Sequence, residues 1–461
     1  MSKSVALLIV LFFLTASCIA VKHAMSSTDV AENTWVSKAP MREARGGLGV
    51  AVANGKIYAI GGSTEGGKWP VINDFVSTNE EYDPATDTWT FKTPMLTPRY
   101  GFGTAVHQNK IYCIGGKTDE GVTGVNEVYD PETDTWETKE PLPEASWLLQ
   151  ANCVNGKIYL MGGYPNRAFN EVYDPETDSW TAKASIPTGV QGYASVVVGS
   201  KICVIGGFAA APVFWSNLNQ IYDTETDSWS IGTPAPSSVI DGAGGVTTGF
   251  NAPKRIYVMG VKSYGGLGFP PCLNRVYDPE KDSWTAGADV PTNRLDFGVA
   301  VVNDTLYAIG GHCYNVLGYI APSAVNEQYT PVGYGTVLPA IAVVSPENKT
   351  YNVTDVSLAF TLNKPAVWMG YSLDGQDNLT VTGNITLSEL ANGLHNVTVY
   401  AKDTFENIGA SANVAFSIEV PEPFPTIPVA VASVATVVVV GVGLLIHFRK
   451  RKRKADSHKT F

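Results

Sequence analysis

The chain is poor in the residues that build common catalytic and metal sites. It has 461 residues but only six histidines and six cysteines. It contains no C-x-x-C pair, which argues against structural zinc, and no metal-binding helix motif, nucleophile elbow or phosphate loop. Positive charge is lacking too: the net charge of −11 makes nucleic acid an unexpected partner. We therefore predict no cofactor and no metal, and a binding protein rather than an enzyme.

The two ends of the chain carry apolar runs. Residues 1–20 read as a secretory signal peptide that is too short to span a bilayer. Residues 427–448 extend about 33 Å as a helix and predict a transmembrane span. A Pro-rich stalk at 421–426 precedes this span, and a basic tail at 449–461 follows it. The pattern predicts a single-pass cell-membrane protein with its bulk extracellular and its tail cytoplasmic. The Pro-Glu-Pro, span and basic tail also resemble prokaryotic sorting signals, whose processing would remove the span.

A unit of about fifty residues recurs along the first two thirds of the chain. Each unit has a glycine pair, then a Tyr-Asp, then a tryptophan; the tryptophans are Trp35, Trp89, Trp136, Trp180, Trp229 and Trp284. One unit, 99–136, divides into four short strands at 101–106, 111–114, 125–129 and 135–137. Four short strands per unit are typical of a propeller blade.

The di-glycine, the spaced Tyr and Trp, and the Asp-Pro-x-Thr-Asp turn together resemble the Kelch repeat. The resemblance implies an all-β, six-bladed Kelch-type β-propeller over 32–332, with the tryptophans packed between blades. Trp35 has no Tyr-Asp before it and Tyr329 has no tryptophan after it. We therefore predict that the Trp35 strand completes the last blade, which leaves no open sheet edge.

Candidate binding residues lie where long, variable loops join the strands, because such loops on a rigid scaffold carry function. Aromatic candidates there are Trp69, Trp147, Tyr193 and Trp215, suited to sugar rings or extended peptides unless they pack on one another. Arg45, Arg99 and Arg294 open three consecutive first strands, and Asp241 opens an opposite one. These arginines either bind an anion or anchor a loop, as in other Kelch repeats.

A second domain follows at 340–420, where about seven alternating segments predict an immunoglobulin-like β-sandwich. Sequons, most of them in this domain, predict N-glycosylation at Asn303, Asn348, Asn352, Asn378, Asn384 and Asn396. Cys272 and Cys313 lie in loops of adjacent repeats and are candidates for a disulfide.

The leading functional hypothesis is a membrane-anchored binding or adhesion module for an extracellular glycan or protein; the oligomeric state is left open. A copper oxidase like galactose oxidase is disfavoured because His312 is the one histidine near the variable loops. The alternatives are a structural surface component and a carbohydrate-active enzyme. The enzyme would resemble the cofactor-free sugar epimerases that some Kelch propellers host, using Arg99, Arg294, Asp241 and Asp296.

Overall fold

The structure is a computed structural model that describes residues 31–68, 73–211, 214–262, 271–314, 319–421 and 440–451. The chain divides into two compact units and passes from the first to the second between Leu338 and Pro339, although residues 405–407 group with the first. Both units are built from β-strands, as the sequence predicts.

Among the described residues, the first unit contains seven four-stranded antiparallel sheets. Six of them follow the repeat and are named sheets I to VI in chain order, and the seventh is built from loop strands. The chain begins with β1 (Thr34–Lys38). Sheet I follows as β2 (Gly49–Ala53), β3 (Lys56–Ile60), β5 (Asn79–Asp83) and β6 (Thr88–Lys92), with β4 (Gly67–Lys68) in its loop. Sheet II has β7 (Gly103–His107), β8 (Lys110–Ile114), β11 (Asn126–Asp130) and β12 (Thr135–Lys139), with the hairpin β9 (Lys117–Thr118) and β10 (Gly121–Val122). Sheet III has β13 (Gln150–Val154), β14 (Lys157–Met161), β15 (Asn170–Asp174) and β16 (Ser179–Ala182).

The remaining sheets repeat this order. Sheet IV has β18 (Ala194–Val198), β19 (Lys201–Ile205), β21 (Asn219–Asp223) and β22 (Ser228–Gly232), flanked by the paired short strands β17 (Val190–Gln191) and β20 (Phe208–Ala209). Sheet V has β23 (Ile240–Val246), β24 (Ile256–Val261), β25 (Cys272–Asp278) and β26 (Ser283–Ala286). Sheet VI has β28 (Gly298–Val302), β29 (Thr305–Ile309) and β32 (Asn326–Thr330), and β1 is its fourth strand. A loop sheet joins β27 (Arg294–Leu295), β30 (His312–Tyr314), β31 (Tyr319–Pro322) and β4.

The six sheets form a ring. The first strand of each sheet contacts the first strand of the next, and β28 of sheet VI returns to β2 of sheet I. The second strands are buried along almost their whole length, because each lies between two neighbouring strands of its own sheet and between adjacent sheets. Apolar clusters fill the spaces between neighbouring sheets.

A repeated polar contact fixes the outer strands. In sheet II the Tyr129 hydroxyl donates to Asp134 Oδ1 at 2.6 Å, and this oxygen also accepts the Thr93 amide of sheet I at 2.9 Å. The Trp136 indole N–H donates to the Thr93 carbonyl at 2.9 Å. Asp134 sits at φ 54°, a left-handed conformation that Asp tolerates better than most residues. The repeating Tyr, Asp and Trp are therefore structural.

Sheet VI obtains the same contact from the other end of the chain. The Tyr329 hydroxyl donates to Asn33 Oδ1 at 2.7 Å, so Asn33 takes the place of the turn aspartate. The Trp35 indole N–H donates to the Ala288 carbonyl at 2.8 Å. The N-terminal strand thus supplies the missing outer strand, and its side chains make the same bonds as those of the other sheets.

The described part of the second unit contains two sheets. One joins β33 (Ile341–Ser345), β35 (Val356–Leu362) and β38 (Ile385–Leu387). The other joins β34 (Thr350–Tyr351), β36 (Trp368–Leu373), β37 (Leu379–Val381), β39 (Gly393–Lys402), β40 (Ile408–Ala410) and β41 (Val414–Ile418). Their inward side chains share one apolar core that includes Leu358, Val399 and Phe416.

The predicted membrane location, with an extracellular bulk and a cytoplasmic tail, is wrong. Within the described ranges, no helix has the length and apolar character needed to cross a bilayer. Residues 440–451 form the described helix in this region. The predicted signal peptide at 1–20 lies outside the described residues, as do most of the stalk, residues 427–439 of the predicted span, and 452–461 of the tail.

Candidate functional site

Six residues surround the axis of the ring at the start of the first strands. They share a left-handed conformation with φ between 44° and 63°, and they are Gly47, Gly101, Leu148, Gly192, Asp241 and Asp296. Backbone N–H groups link neighbours around this circle, for example from Gly47 to the Asp296 carbonyl at 2.8 Å and from Gly101 to the Gly47 carbonyl at 2.9 Å. Glycine adopts this conformation without cost, and Asp does so more readily than most side chains. We call these six residues the axial ring.

The axial ring surrounds a cavity of about 70 Å³. Asp241 and Asp296, from adjacent sheets V and VI, line this cavity. Phe102 and Phe297 contribute apolar walls. The Asp241 side chain packs so closely on sheet IV that a Cβ added to Gly192 would lie 2.5 Å from Asp241 Oδ1. The cavity on the propeller axis therefore has two acidic residues in its lining.

A tyrosine and a histidine contact the Asp296 carboxylate. The Tyr100 hydroxyl donates to Asp296 Oδ2 at 2.6 Å. His312 Nδ1 lies 3.4 Å from the same oxygen, and its ring is 6.2 Å from that of Tyr100. Burial, followed by the nearby Asp296, raises the pKa of the Tyr100 hydroxyl well above its usual value. Burial also raises the pKa of Asp241, and repulsion from Asp296 raises it further, so Asp241 favours the protonated form.

The arginines predicted to bind an anion are instead part of the sheets. Arg45, Arg99 and Arg294 are fully buried. Their NH2 groups pair at 2.8–2.9 Å with the carboxylates of Glu80, Glu127 and Glu327, respectively. Arg99 also donates to the carbonyls of Gly115 and Val125 at 2.8 Å and of Cys113 at 3.2 Å. The predicted ligand role is corrected to loop anchoring, because these donors face internal acceptors.

Sheet V reverses this arrangement. Val239 occupies the place of the arginine, and Arg275 occupies the place of the glutamate on the third strand. Arg275 donates to the Ser238 carbonyl at 2.9 Å and the Gly260 carbonyl at 3.2 Å. The guanidinium thus reaches the same kind of acceptor from the opposite strand, which supports an anchoring role for the whole set.

The predicted aromatic residues separate into different environments. Trp147 is half-buried, with its ring 6.1 Å from Tyr100 and 6.4 Å from Tyr164. Trp215 is 43 % exposed and forms a bridge with Phe208. Tyr193 is buried, and its hydroxyl bonds to the Met161 carbonyl, so its predicted place at the mouth is wrong. Trp69 lies outside the described residues.

Two cations connect these rings into one surface. Lys117 Nζ lies 5.3 Å from the Trp147 ring centre. The Arg167 guanidinium lies 5.7 Å from the Tyr164 ring and 5.4 Å from the Phe208 ring. We define the aromatic arc as Lys117, Trp147, Tyr164, Arg167, Phe208, Phe214 and Trp215. It runs along the loops of sheets II to IV, beside the axial ring.

Several members of both groups were not predicted from the sequence. Tyr100 directly follows Arg99, and aligning the repeats on their arginines would have placed it beside the axial ring. In the structure, Asp241 and Asp296 take the positions that Gly47 and Gly101 have in two other sheets. The repeat of Asp241 has Val239 in place of the arginine, so an alignment on the arginines places only Asp296. Lys117 and Arg167 carry no such signal, because the loops that hold them differ in length between repeats.

The predicted disulfide between Cys272 and Cys313 is not formed, and both residues are free thiols. Cys272 lies opposite Val261 within sheet V, whereas Cys313 lies opposite Arg294 in the loop sheet. Burial raises the pKa of the Cys272 thiol to about 12. The predicted sequon residues Asn303, Asn348, Asn352, Asn378 and Asn384 are exposed and Asn396 is half-buried; their glycosylation stays a prediction.

Comparison with family models identifies the repeats. Two models, each described as "Kelch motif", match residues 44–96 and 98–143, and residues 150–187 and 189–236. The chain is a Kelch-repeat protein. Its predicted all-β propeller fold is therefore confirmed, and Kelch repeats generally mediate protein binding.

Curated relatives match this Kelch protein over short stretches. It is 43 % identical over 77 residues to the Influenza virus NS1A-binding protein of Homo sapiens, covering 17 % of this chain and 11 % of that one. It is 33 % identical over 90 residues to Alpha-scruin of Limulus polyphemus, covering 20 % and 9 %. The Kelch protein thus spans about a tenth of the length of these relatives.

Among solved structures, one titled "Structure of YjhT" aligns with a TM-score of 0.51 at 18 % identity. The alignment covers 62 % of this Kelch protein and 95 % of that chain. At this identity the likeness concerns the fold alone.

Proposed function

We propose that this Kelch protein is a non-catalytic binding module that holds a segment of a partner protein against the aromatic arc. One observation carries the proposal: exposed rings and two cations form a continuous surface on loops that rigid sheets support. Trp215, Phe214 and Tyr164 are 43 %, 51 % and 45 % exposed. Tyr, Trp and Arg are the residues that most often dominate binding energy at protein interfaces. The name of the NS1A-binding relative and the general role of Kelch repeats are in keeping with this proposal.

We also propose two features of the architecture that the family match does not establish. We propose that the six four-stranded sheets are the six blades of one closed propeller over 32–332. We further propose that the second unit, 340–420, is an immunoglobulin-like sandwich acting as a spacer or a second module. The closed propeller serves the arc, because a closed ring keeps its loops in fixed relative positions.

A peptide array and a glycan array, screened with the full chain, test the proposal. Trp215→Ala and Arg167→Ala should each weaken peptide binding by about 30-fold or more if they are central contacts. Phe91→Ala is the matched control, because Phe91 is 53 % exposed but lies on the outer strand β6. Loss of binding in the control as well, or unchanged binding in both arc variants, contradicts the assignment. Retention of glycans instead of peptides would identify a glycan as the ligand.

A carbohydrate-active enzyme is the second candidate, and one observation favours it. Asp241 and Asp296 line one cavity, and the Tyr100 hydroxyl donates to Asp296, so groups that can exchange protons lie close together, as acid–base chemistry requires. Arg99 and Arg294 do not join them, since both are buried in ion pairs. Proton exchange from solvent D₂O into a panel of sugars, followed by NMR, tests this candidate. Exchange that Asp296→Asn abolishes would support it.

A further inference from the structure

Three neighbours hold the Arg167 guanidinium of the aromatic arc in one orientation. Its central carbon lies 5.7 Å from the Tyr164 ring centre and 5.4 Å from the Phe208 ring centre. Its Nε–H donates to Gln191 Oε1 at 2.9 Å. A guanidinium is a rigid planar fork, so contacts with its face and with one nitrogen also fix the direction of its other N–H groups. These N–H groups are therefore oriented before any ligand arrives.

The two terminal nitrogens of Arg167 are available to a ligand. Neither of them has a hydrogen-bond acceptor or a paired carboxylate among the described residues. Arg167 is half-buried, and neither nitrogen belongs to the buried polar atoms that lack a partner, so both reach solvent. The buried Arg99 differs, because its terminal nitrogens bond to internal carbonyls and to Glu127. Arg167 therefore offers a planar pair of donors to whatever lies on the arc.

The second cation of the arc also lacks a compensating charge. Lys117 Nζ lies 5.3 Å from the Trp147 ring centre and 5.8 Å from the Phe75 ring centre, and no carboxylate in the described part of the chain pairs with it. By contrast, four lysines that begin second strands each pair with an aspartate that ends a third strand: Lys56 with Asp83, Lys110 with Asp130, Lys157 with Asp174, and Lys201 with Asp223. The arc thus presents two unpaired cations on a chain whose net charge is −11. Such a local excess of positive charge favours a partner surface of the opposite sign.

We propose that the partner segment on the arc is acidic, and that Arg167 binds one of its carboxylates through both terminal nitrogens. This inference rests on the proposed binding function and names the chemistry of the partner. A carboxylate has two oxygens that match the guanidinium fork, so it forms two parallel charge-assisted hydrogen bonds. The rings of Tyr164 and Phe208 offer apolar contact to the carbon atoms that carry it. Lys117 is a point charge that suits a second acidic group on the same segment.

Matched peptide arrays, probed with the full chain, test the charge of the segment. Each sequence is printed as it stands, with every Asp and Glu replaced by the amide Asn or Gln, and with phosphoserine at those positions. We expect the amide set to bind about tenfold more weakly or worse, because the charge-assisted bonds are lost. Binding of the acidic set should also weaken as the salt concentration rises. Free and amidated C-termini on each peptide show whether a side chain or the chain end supplies the carboxylate.

Two variants test the guanidinium while keeping the size or the charge of the site. Gln191→Glu keeps the acceptor for Nε but places a carboxylate of this chain beside Arg167, so it should weaken acidic peptides by about tenfold and leave their amide forms unchanged. Arg167→Lys keeps the positive charge but loses the fork, and it should weaken acidic peptides by a similar factor. Arg42→Lys is the matched control, because Arg42 also lies over an exposed ring, Phe91 at 5.6 Å, and also uses Nε for an internal bond. Thermal melts followed by circular dichroism identify any variant that fails to fold.

The outcomes separate this inference from the proposed function. If Trp215→Ala weakens binding but the acidic and amide sets bind equally, the arc stands and the inference is overturned. If phosphoserine peptides alone bind, or Arg42→Lys costs as much affinity as Arg167→Lys, the carboxylate site is also overturned. A charge exchange gives the sharpest support: Arg167→Glu should lose the acidic peptides and bind those in which one acidic residue is replaced by lysine. If no peptide binds at all, both the proposed function and this inference are wrong.

Discussion

The buried arginines give the sharpest test of how the ring is held together. Replacing Arg99 with Met keeps a long apolar side chain but removes the guanidinium. Glu127, with only 2 % of its side chain exposed, then loses its ionic partner. The carbonyls of Gly115, Val125 and Cys113 lose donors at 2.8, 2.8 and 3.2 Å. Breaking a buried ion pair from one side costs about 3–5 kcal/mol.

Differential scanning calorimetry of the full chain measures this cost. A loss of about 3–5 kcal/mol corresponds to a decrease of roughly 6–20 °C in the Tm of the propeller transition. The double variant Arg99→Met/Glu127→Leu should recover part of it, because it leaves no buried charge unpaired. Arg42→Met is the control: Arg42 is exposed, so its loss should change the free energy of unfolding by less than about 1 kcal/mol.

One result would refute this reasoning. If Arg99→Met unfolds like the parent protein yet loses ligand binding, the guanidinium serves a ligand and not the fold. The carbonyl and glutamate contacts would then contribute no net stability.

Three further predictions concern glycine and pH. Gly206→Ala should strongly destabilise the propeller, because the new Cβ would lie 2.5 Å from Val239 Cβ at a residue with φ +76°. Gly199→Ala is the control: at φ +63° its Cβ meets nothing within 4 Å, so the change should cost only about 1 kcal/mol of backbone strain. Equal decreases in Tm would contradict the packing argument. The pKa of His395 is raised, first by its hydrogen bond with the Ala391 carbonyl and then by Asp374. Protonated His395 therefore stabilises the second unit below the unfolded pKa, and this stabilisation is lost as the pH rises through the folded pKa. Urea unfolding between pH 5 and 9, with His395→Gln as the control, would detect the loss. The pKa of Asp241 is also raised, so the stability that this residue contributes decreases as the pH rises above about 4, its unfolded pKa. Asp241→Asn should therefore unfold at a higher Tm than the parent protein at pH 8 but not at pH 4. A lower Tm at pH 8 would refute the raised pKa.

The repeat could be read from the sequence because its determinants are local and recur. Tyr129 and Asp134 are five residues apart, and their bond forms one turn that any repeat can form alone. The role of Arg99 could not be predicted in the same way. Its partner Glu127 is 28 residues later on a different strand, and the sequence does not show whether an arginine beside a predicted channel points towards the channel or into the sheets.

The candidate site is even harder to predict from the sequence, because its residues come together only in the closed ring. Tyr100 and Asp296 are 196 residues apart, yet they share a hydrogen bond. A single repeat contains one of these groups and gives no sign of the other. Residue types on the loops indicated a binding face, but their grouping into an arc and a cavity depends on how six sheets are placed around one axis.

The pairing of β1 with β32 also sets an order of events during synthesis. Asn33 contacts Tyr329 across 296 residues, so sheet VI cannot be completed until the last repeat has left the ribosome. At about 5–20 residues per second, the N-terminal strand waits roughly 15–60 s for its partner. During that interval the strand is an unpaired edge that a neighbouring nascent chain can capture. The ring therefore closes late, after synthesis of the last repeat. The cavity at its axis cannot form before that step.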